Sequence, residues 1–218
     1  YTGVYQDGNG ALHIGDDTLT DIELFRFDDG TYRWAGNKLV SASTKGKVAD
    51  GYLAFATVYI DANDNGEFDL GIDPYTTTDA DGDFDLVSYL AGPLRAFGGT
   101  NIDTGLPNQL VFTAPEGATV VNPLTTLIQT LIATQGLDAA AAEAAVENAL
   151  GLDPALDLMQ LDLIEAAAQG DASALDAQKA AAAIAEVLNN VNENGGDVDG
   201  SLVELAALVD GGTVDLTD

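Results

Sequence analysis

The spacing of apolar and polar residues divides the chain into three zones. From residue 1 to about residue 46, short apolar pieces alternate with Gly and Asp, which predicts short strands and tight turns. Residues 51–121 carry the longer apolar runs LAFATVYI, FDLVSYL, LRAF and QLVFTA between Asp, Gly and Pro clusters, which predicts a small antiparallel β unit. After residue 122 the composition changes to Ala and Leu with helical spacing.

Capping residues predict where the helices begin and end. Each of the best-marked helices begins at a residue whose side chain can cap it and ends at Gly or Asn. These helices run from Asn122 to Gly136, from Asp138 to Gly151 and from Asp171 to about Asn194. A capping box of Ser201 and Glu204 predicts another helix, and a weaker one is predicted over 158–169. We therefore expect an α+β fold: a small antiparallel β unit, Ig-like or sandwich-like, followed by an Ala-rich layer of about five helices.

Charge adds a constraint, because 36 Asp and Glu face only 7 Lys and Arg, for a net charge of −29. Self-repulsion of this size destabilises a compact state unless the charge is solvated or cations neutralise part of it. Halophilic adaptation would spread Asp and Glu over the surface, whereas here many of the acids are Asp in short Gly-containing clusters, which favours calcium. Such a polyanion is not expected to bind nucleic acid through its phosphates.

Composition also removes several function classes. The absence of Cys excludes disulfides, thiolate zinc sites and cysteine nucleophiles, and the single His leaves histidine-dependent chemistry short of groups. No apolar run approaches the roughly 20 residues of a membrane span, so membrane insertion is not expected. The sequence has no recognisable catalytic triad or phosphate-binding Gly motif, and we do not expect an enzyme. The chain begins within a β pattern, which we interpret as a piece of a larger protein.

The densest oxygen pattern, DANDNGEFD, follows directly after Ile60. Its spacing matches an EF-hand-like calcium loop, with oxygens at positions one, three and five, Gly at six and a main-chain carbonyl at seven. Position twelve is Ile72, so Asp73 is the natural substitute for the missing acid. The following TTTDADGDFD adds acids that could share ions with the first loop if the strands bring them together. The alternative is a polar Asn-Gly turn between strands. The predicted calcium ligands are Asp61, Asn63, Asn65, Glu67, Asp69, Asp73, Asp79 and Asp81.

A polar loop between two predicted strands, FGGTNIDTGLPNQ at 97–109, is the candidate ligand site. Its predicted ligand-binding residues are Gly99, Thr100, Asn101 and Asp103, and the alternative is a plain exposed loop. Weaker calcium candidates lie in the N-terminal zone, at Asp16, Asp17 and Asp21, and the open alternative is that these are solvated turn residues. For Asp197 and Asp199 a connection between helices is the preferred interpretation.

The order of motifs resembles a known family. GYLAFATVYIDANDNGEFDLGIDPYTTTDADGDFDL, GGTNIDTG and APEGATVVNPLTTLI, followed by Ala-rich helices, resemble the calcium-dependent peptide-binding domain of giant bacterial RTX adhesins. Upstream, DTLTDIELFRFDDGTY resembles the stretch that closes RTX repeat arrays. The resemblance implies an RTX-type β flank over 1–45 and a peptide-binding domain over 46–218, with the β unit in 46–121 and the helices in 122–218.

The same resemblance implies an extracellular module on the bacterial surface that binds the C-terminal residues of proteins on host or neighbouring cells. Several Ca²⁺ ions would help to hold the terminal carboxylate. Such a module could also bind the tail Leu216, Thr217 and Asp218 of a neighbouring copy in a crystal. Two alternatives stay open: an extender module that calcium only stiffens, and a carbohydrate-binding module that stacks sugars on Trp34 and the scattered Tyr residues.

Overall fold

The computed structural model describes residues 4–6, 12–14, 24–35 and 38–212. It confirms the α+β class. The strands are β1 Val4–Gln6, β2 Leu12–Ile14, β3 Phe25–Phe27, β4 Gly30–Ala35, β5 Lys38–Ser41, β6 Ser43–Val48, β7 Leu53–Ala54, β8 Thr57–Ile60, β9 Tyr75–Thr77, β10 Asp83–Val87, β11 Leu94–Phe97, β12 Thr100–Asn101, β13 Val111–Ala114 and β14 Val120–Val121. The helices are α1 Pro123–Gln135, α2 Ala139–Leu150, α3 Leu163–Ala168, α4 Ala172–Glu193 and α5 Val198–Asp210.

The strands form several small sheets. The largest has the order β13-β11-β8-β9, two have three strands in the orders β10-β6-β14 and β3-β4-β5, and two have two strands, β12-β7 and β1-β2. Among the described pairs all are antiparallel except β6 with β14, which run parallel. The chain reaches β14 just before α1, so this parallel pair leads from the β unit into the helices.

One hydrophobic core joins the sheets β13-β11-β8-β9 and β10-β6-β14 to the helices. Alternation along β10 puts Phe84 and Leu86 inside while the residues beside them face solvent. These side chains belong to the same buried cluster as Phe112 of β13, Leu127 of α1 and Ile184 of α4. Burial of this continuous apolar surface is the main favourable term that holds the helical layer on the β unit.

Helix α1 is fastened to an edge strand by its first turn. Asn122 caps the helix, and its side-chain oxygen accepts a hydrogen bond from the backbone N–H of Thr125 at 2.9 Å. The Thr125 hydroxyl donates to the carbonyl of Thr113 in β13 at 2.9 Å, while the Thr113 N–H donates to the hydroxyl of Thr126 at 2.9 Å. Because β13 is an edge strand, these bonds satisfy backbone groups that no neighbouring strand reaches.

The structure corrects one strand prediction. The run LAFATVYI is two strands, since Phe55 between them has a positive φ of 59° and β7 pairs with β12 while β8 pairs with β11 and β9. Gly99 lies against this break, where an added Cβ would come within 2.8 Å of the Ala54 carbonyl oxygen. Strand β6 includes residue 45, and the boundary predicted there between the flank and the β unit stays a prediction.

Two helix starts were predicted wrongly. Helix α3 begins after Asp162, because the Met159 carbonyl accepts hydrogen bonds from the N–H groups of Thr119 and Val120 and is not free for a helix. Helix α5 is capped by Asp197, one turn before the predicted box, and the Ser201 hydroxyl donates to the Asp197 carbonyl from inside the helix. The other predicted caps are confirmed.

Two sets of predicted residues lie outside the described part of the chain. They are the calcium candidates Asp16, Asp17 and Asp21 and the tail Leu216, Thr217 and Asp218. Among the helices of the described part, none has the length and apolar character needed to cross a bilayer.

The cap of α1 gives a direct test of how the helical layer is attached. Asn122→Ala should lower the free energy of unfolding by about 1 to 2 kcal/mol, because it leaves a buried backbone N–H without its acceptor. The control is Asp138→Ala, which removes the exposed cap of α2 and should lower it by roughly 0.5 to 1 kcal/mol. Urea unfolding followed by circular dichroism measures both, and equal losses would contradict the special role of the buried cap.

Candidate functional site

Residues 61–73, here called the 61–73 loop, connect β8 to β9 and are closed by two buried carboxylates. Asp61 is 1% exposed; one of its oxygens accepts the Asn65 N–H at 3.1 Å and the other accepts the Gly66 N–H at 2.9 Å. Asp73 is 4% exposed and accepts the N–H groups of Ala62 at 3.0 Å and Asp69 at 2.8 Å. The first and last acids of the loop therefore hold its backbone from inside.

The calcium-loop pattern has an acid at position twelve, where this chain has Ile72, and the side chain of Asp73 takes the inward-facing place of that acid. The side chain of Ile72 points outward and is largely exposed, whereas both oxygens of Asp73 face backbone donors of the loop. This agrees with the choice of Asp73 over Ile72, although whether Asp73 binds a metal stays a prediction.

The rim of the loop is exposed and carries the remaining predicted ligands. The side-chain amides of Asn63 and Asn65 both donate to the same Asp69 oxygen, at 3.0 and 2.7 Å. The Asn65 oxygen in turn accepts the Glu67 N–H at 2.8 Å. Three oxygen-bearing side chains of the rim thus converge within hydrogen-bond distance of one another.

These donors fit a hard cation by their chemistry. Carboxylate and carboxamide oxygens are the ligands that Ca²⁺ prefers. The two Asn side chains bind Asp69, while Asp61 and Asp73 bind backbone N–H groups of the same loop. A half-turn of each carboxamide would present oxygen in place of nitrogen without moving the backbone. Within the described residues, no group of three or more His, Cys, Asp and Glu side chains is already gathered as a metal site.

Arg95 meets the loop from the sheet beneath it. Its Nε lies 2.8 Å from the Asp61 oxygen that also accepts the Gly66 N–H. Gly66 has a φ of +84°, and a Cβ there would lie 3.6 Å from an Arg95 Nη atom, so the guanidinium also lies close to the turn of the loop. Sequence reasoning missed this residue, although the alternation of LRAF sets Arg95 on the face opposite to Leu94 and Ala96.

An aromatic cluster lies beneath the same loop. Phe68 packs against Tyr59 of β8, Tyr75 of β9 and Phe97 of β11, with ring centroids 5.1, 5.2 and 5.9 Å apart. These pairs have the tilted or edge-to-face geometry that aromatic rings prefer. The loop is therefore attached to the outer face of the sheet by one apolar contact at Phe68 and one ionic contact at Asp61.

The acids at 79–83 form a separate turn. One oxygen of Asp79 accepts the N–H groups of Asp81 at 2.9 Å and Asp83 at 3.0 Å, so this carboxylate shapes the turn between β9 and β10. Lys47 donates to the Asp81 carbonyl at 3.2 Å and pairs with the Asp83 carboxylate at 3.0 Å.

Strand register sets this turn and the 61–73 loop at opposite ends of the sheet. Tyr75 pairs with Tyr59 near the 61–73 loop, whereas Thr77, which leads into the turn, pairs with Thr57 at the far end of β8. The structure therefore does not bring the two acid clusters together, and they cannot share ions as the sequence had allowed.

The candidate ligand residues belong to residues 97–109, here called the ligand loop. They lie at the same end of the sheet as the 79–83 turn. Strand β11 pairs its first residue, Leu94, with Ile60 and its last, Phe97, with Thr57, so the loop that follows Phe97 leaves the sheet away from the 61–73 loop. Strand β12 pairs with β7, and the N–H of Phe55 faces the Asp79 carbonyl at 3.4 Å. The ligand loop and the 79–83 turn thus flank residues 50–56 together.

Within the ligand loop the predicted residues divide by role. The Asn101 oxygen accepts the N–H groups of Asp103 and Thr104, both at 3.0 Å, and its amide donates to the Asp50 carbonyl, so Asn101 organises the backbone. Gly99 permits the close approach to Ala54 described above. Thr100 and Asp103 remain exposed and are the two predicted residues whose side chains are available to a ligand.

Apolar side chains accompany them at this end. Phe55 is 66% exposed, Leu106 is 64% exposed and Ile102 is also largely exposed. Next to them, burial raises the pKa of the Asp50 carboxyl above its ordinary range. Asp50 also borders a cavity of about 60 Å³ whose other lining residues include Asn122 and Gln178. No sequence pattern singles out Asp50, because it is one Asp among many.

Comparison of the chain with protein-family models, with curated proteins and with solved structures found no match. The resemblance described from the sequence therefore rests on the quoted motifs alone.

The aromatic floor of the 61–73 loop predicts a loss of stability at high pH. Burial raises the pKa of Tyr59 from 10.0 to about 12, and the nearby acids of the loop add to the rise while Arg95 opposes it. A raised pKa means that folding favours the neutral phenol, so the resulting stability is complete below pH 10 and is lost between pH 10 and about 12. Tyr59→Phe removes the ionisable phenol and should make this part of the stability profile shallower. The free energy of unfolding measured against pH tests this, and a profile with the slope of the wild type would contradict the assignment.

The inner acid of the loop gives a second test. Asp73→Asn puts an NH₂ group against one of two backbone donors and should lower the free energy of unfolding by about 1.5 to 3 kcal/mol. Asp85→Asn makes the same charge change at an exposed acid of β10 and serves as the control, with an expected loss below about 1 kcal/mol. Chemical denaturation in chelator measures the difference, and a loss no larger than that of the control would contradict the closing role of Asp73.

Proposed function

We propose that the chain is a calcium-dependent ligand-binding module of a large bacterial surface adhesin of the RTX type. It acts outside the cell in adhesion, binds the C-terminal residues of peptides or proteins on host or neighbouring cells, and is not an enzyme. The observation that carries this proposal is the closed loop in which Asp61 and Asp73 accept backbone N–H groups of the loop and two Asn side chains bind Asp69, in the spacing of a calcium loop.

The residues that would hold an ion in this loop are those of the predicted set: Asp61, Asn63, Asn65, Asp69 and Asp73, with Glu67 offering its carbonyl. When bound, Ca²⁺ supplies a divalent positive charge that offsets the repulsion among acids and links both ends of the loop. The chain's own contribution is preorganisation, since the backbone N–H bonds to Asp61 and Asp73 already close the loop.

Peptide binding is supported by the composition of the opposite end. Thr100 and Asp103 offer exposed hydrogen-bonding groups, and Phe55, Ile102 and Leu106 offer exposed apolar surface on the same segments. Peptide sites commonly combine apolar contact with a few directional polar groups. An ion beside this surface would have to be held by Asp79 and Asp81, the only predicted calcium ligands at this end of the sheet.

The separation of the two ends favours a second candidate function. Because the 61–73 loop and the ligand loop leave the sheet at opposite ends, an ion in the 61–73 loop has no direct reach to a peptide held at Thr100 and Asp103. Calcium there would stiffen the fold, which is the role expected of an extender module. The two functions differ in whether a peptide binds at all.

Calorimetric titration with short peptides of varied C-terminal residue, with Ca²⁺ and with chelator, separates these functions. A peptide-binding module should show saturable heat that depends on the free C-terminal carboxylate, and amidation of that carboxylate should abolish it. Calcium should raise the melting temperature under either function, because an ion that binds only the folded state stabilises it. Absence of saturable binding by every peptide, together with a calcium-dependent melting temperature, would favour the extender.

Two variants locate the site. Asp103→Asn should weaken peptide binding at least about tenfold if this side chain contacts the peptide, a loss typical of one charge-assisted hydrogen bond. Asp85→Asn is the matched control with the same charge change, and it should leave the dissociation constant unchanged. Peptide affinity that is equal in both variants would remove Asp103 from the site.

A further inference from the structure

Arg95 brings positive charge to the 61–73 loop. The loop carries five acids, at positions 61, 64, 67, 69 and 73. Among the salt bridges of the described residues, the pair of Arg95 with Asp61 is the one that involves an acid of this loop. Its geometry is close, at 2.8 Å, and the Asp61 side chain is 0% exposed while that of Arg95 is 21% exposed.

The pair is held rigidly on both sides. Arg95 extends from the middle of the sheet, where its backbone pairs with Tyr59 on β8 and Thr113 on β13. Asp61 is fixed by the backbone N–H groups of Asn65 and Gly66. A buried carboxylate that lost its partner would retain a desolvated charge, so the apo loop depends on the guanidinium.

We propose that Arg95 is a built-in counter-ion of the 61–73 loop, which keeps the loop folded without calcium and lowers its affinity for the ion. The proposal rests on the proposed function, namely calcium binding by this loop. Arg95 is a positioning residue here, since it acts through Asp61 and is not itself a ligand.

The sign of the effect follows from electrostatics. Asp61 would be shared between a guanidinium on one oxygen and a divalent ion on the other, and these like charges repel across one carboxylate. Each cation therefore lowers the affinity of the loop for the other, and the coupling is reciprocal. Without the guanidinium, the acids of the loop would attract calcium more strongly. The calcium-free loop would then be less stable.

The test is a calorimetric Ca²⁺ titration of the full chain after chelator treatment, in the wild type, Arg95→Gln, Arg95→Lys and Arg33→Gln. Arg95→Gln should bind Ca²⁺ roughly 10-fold to 100-fold more tightly than the wild type, the range of a typical coupling between two sites. Arg95→Lys keeps the charge and should remain within about threefold of the wild type, since it loses geometry but not the repulsion. Arg33 has a similarly buried side chain, paired with Glu116 at 3.9 Å, so Arg33→Gln is the matched control and should not change the affinity.

Melting temperatures in chelator and in saturating Ca²⁺ provide a second readout. The proposal predicts that Arg95→Gln melts well below the wild type in chelator and recovers most of the difference in calcium. If Arg95→Gln does not fold in chelator, folding driven by added Ca²⁺ supports the proposal, and failure to fold in saturating Ca²⁺ overturns it. A merely structural role for Arg95 predicts equal losses with and without calcium.

The outcomes separate this inference from the proposed function. Wild-type calcium binding with an equal or weaker affinity in Arg95→Gln overturns the counter-ion role and leaves the function standing. Absence of calcium binding in both proteins overturns the proposed function and the inference with it. Calcium binding by Arg95→Gln but not by the wild type supports the counter-ion role and contradicts calcium dependence of the natural chain.

Discussion

Asp61 carries a buried negative charge at the point where β8 leaves the sheet, and Arg95 is the side chain that meets it. The rest of the 61–73 loop is arranged around this pair. Two backbone N–H groups turn toward Asp61, Gly66 lets the turn come close to the guanidinium, and Phe68 completes the attachment by packing on the aromatic rings of the sheet. In a chain with a net charge of −29, the position of one arginine decides how an acidic loop can fold.

The sheet separates two kinds of acidic segment. At one end the 61–73 loop gathers oxygen groups that suit a cation, and at the other the 79–83 turn uses Asp79 to bind its own backbone and Lys47 to neutralise Asp83. The exposed apolar and polar groups of the ligand loop belong to the second end. Calcium at the first end and peptide binding at the second would therefore be coupled only through the stability of the domain, unless an ion also binds at Asp79 and Asp81.

Much of the fold could be predicted from the sequence, because local signals determined it. Asn122, Asp138 and Asp171 cap helices where their spacing indicated, and the change of composition after residue 122 marks the start of the helical layer. The start of α3 could not be predicted, since it depends on a carbonyl at Met159 that a distant strand uses. The break at Phe55 likewise depends on which strands pair, and pairing is not visible in a single run of residues.

For the candidate site, spacing along the chain indicated the members of the 61–73 loop and the substitution of Asp73 for Ile72. Spacing did not indicate Arg95, which reaches the loop from another strand. It also did not indicate the strand register that sets Asp79 and Asp81 at the far end of the sheet. Nor could spacing show that the side chain of Asn101 is hydrogen-bonded to backbone groups. Thr100 and Asp103 are therefore the two exposed residues of the predicted set. Sequence patterns report local ligand spacing, whereas shared sites and counter-charges depend on tertiary contacts.

Two proposals remain to be tested together: calcium binding in the 61–73 loop and peptide binding at the opposite end of the sheet. Amide hydrogen exchange followed by mass spectrometry tests both in one series, with chelator, with Ca²⁺, and with Ca²⁺ and a peptide that has a free C-terminus. We expect calcium to slow exchange first in residues 61–73 and the peptide then to slow exchange in residues 98–109. Unchanged exchange in residues 61–73 on addition of calcium would contradict this expectation.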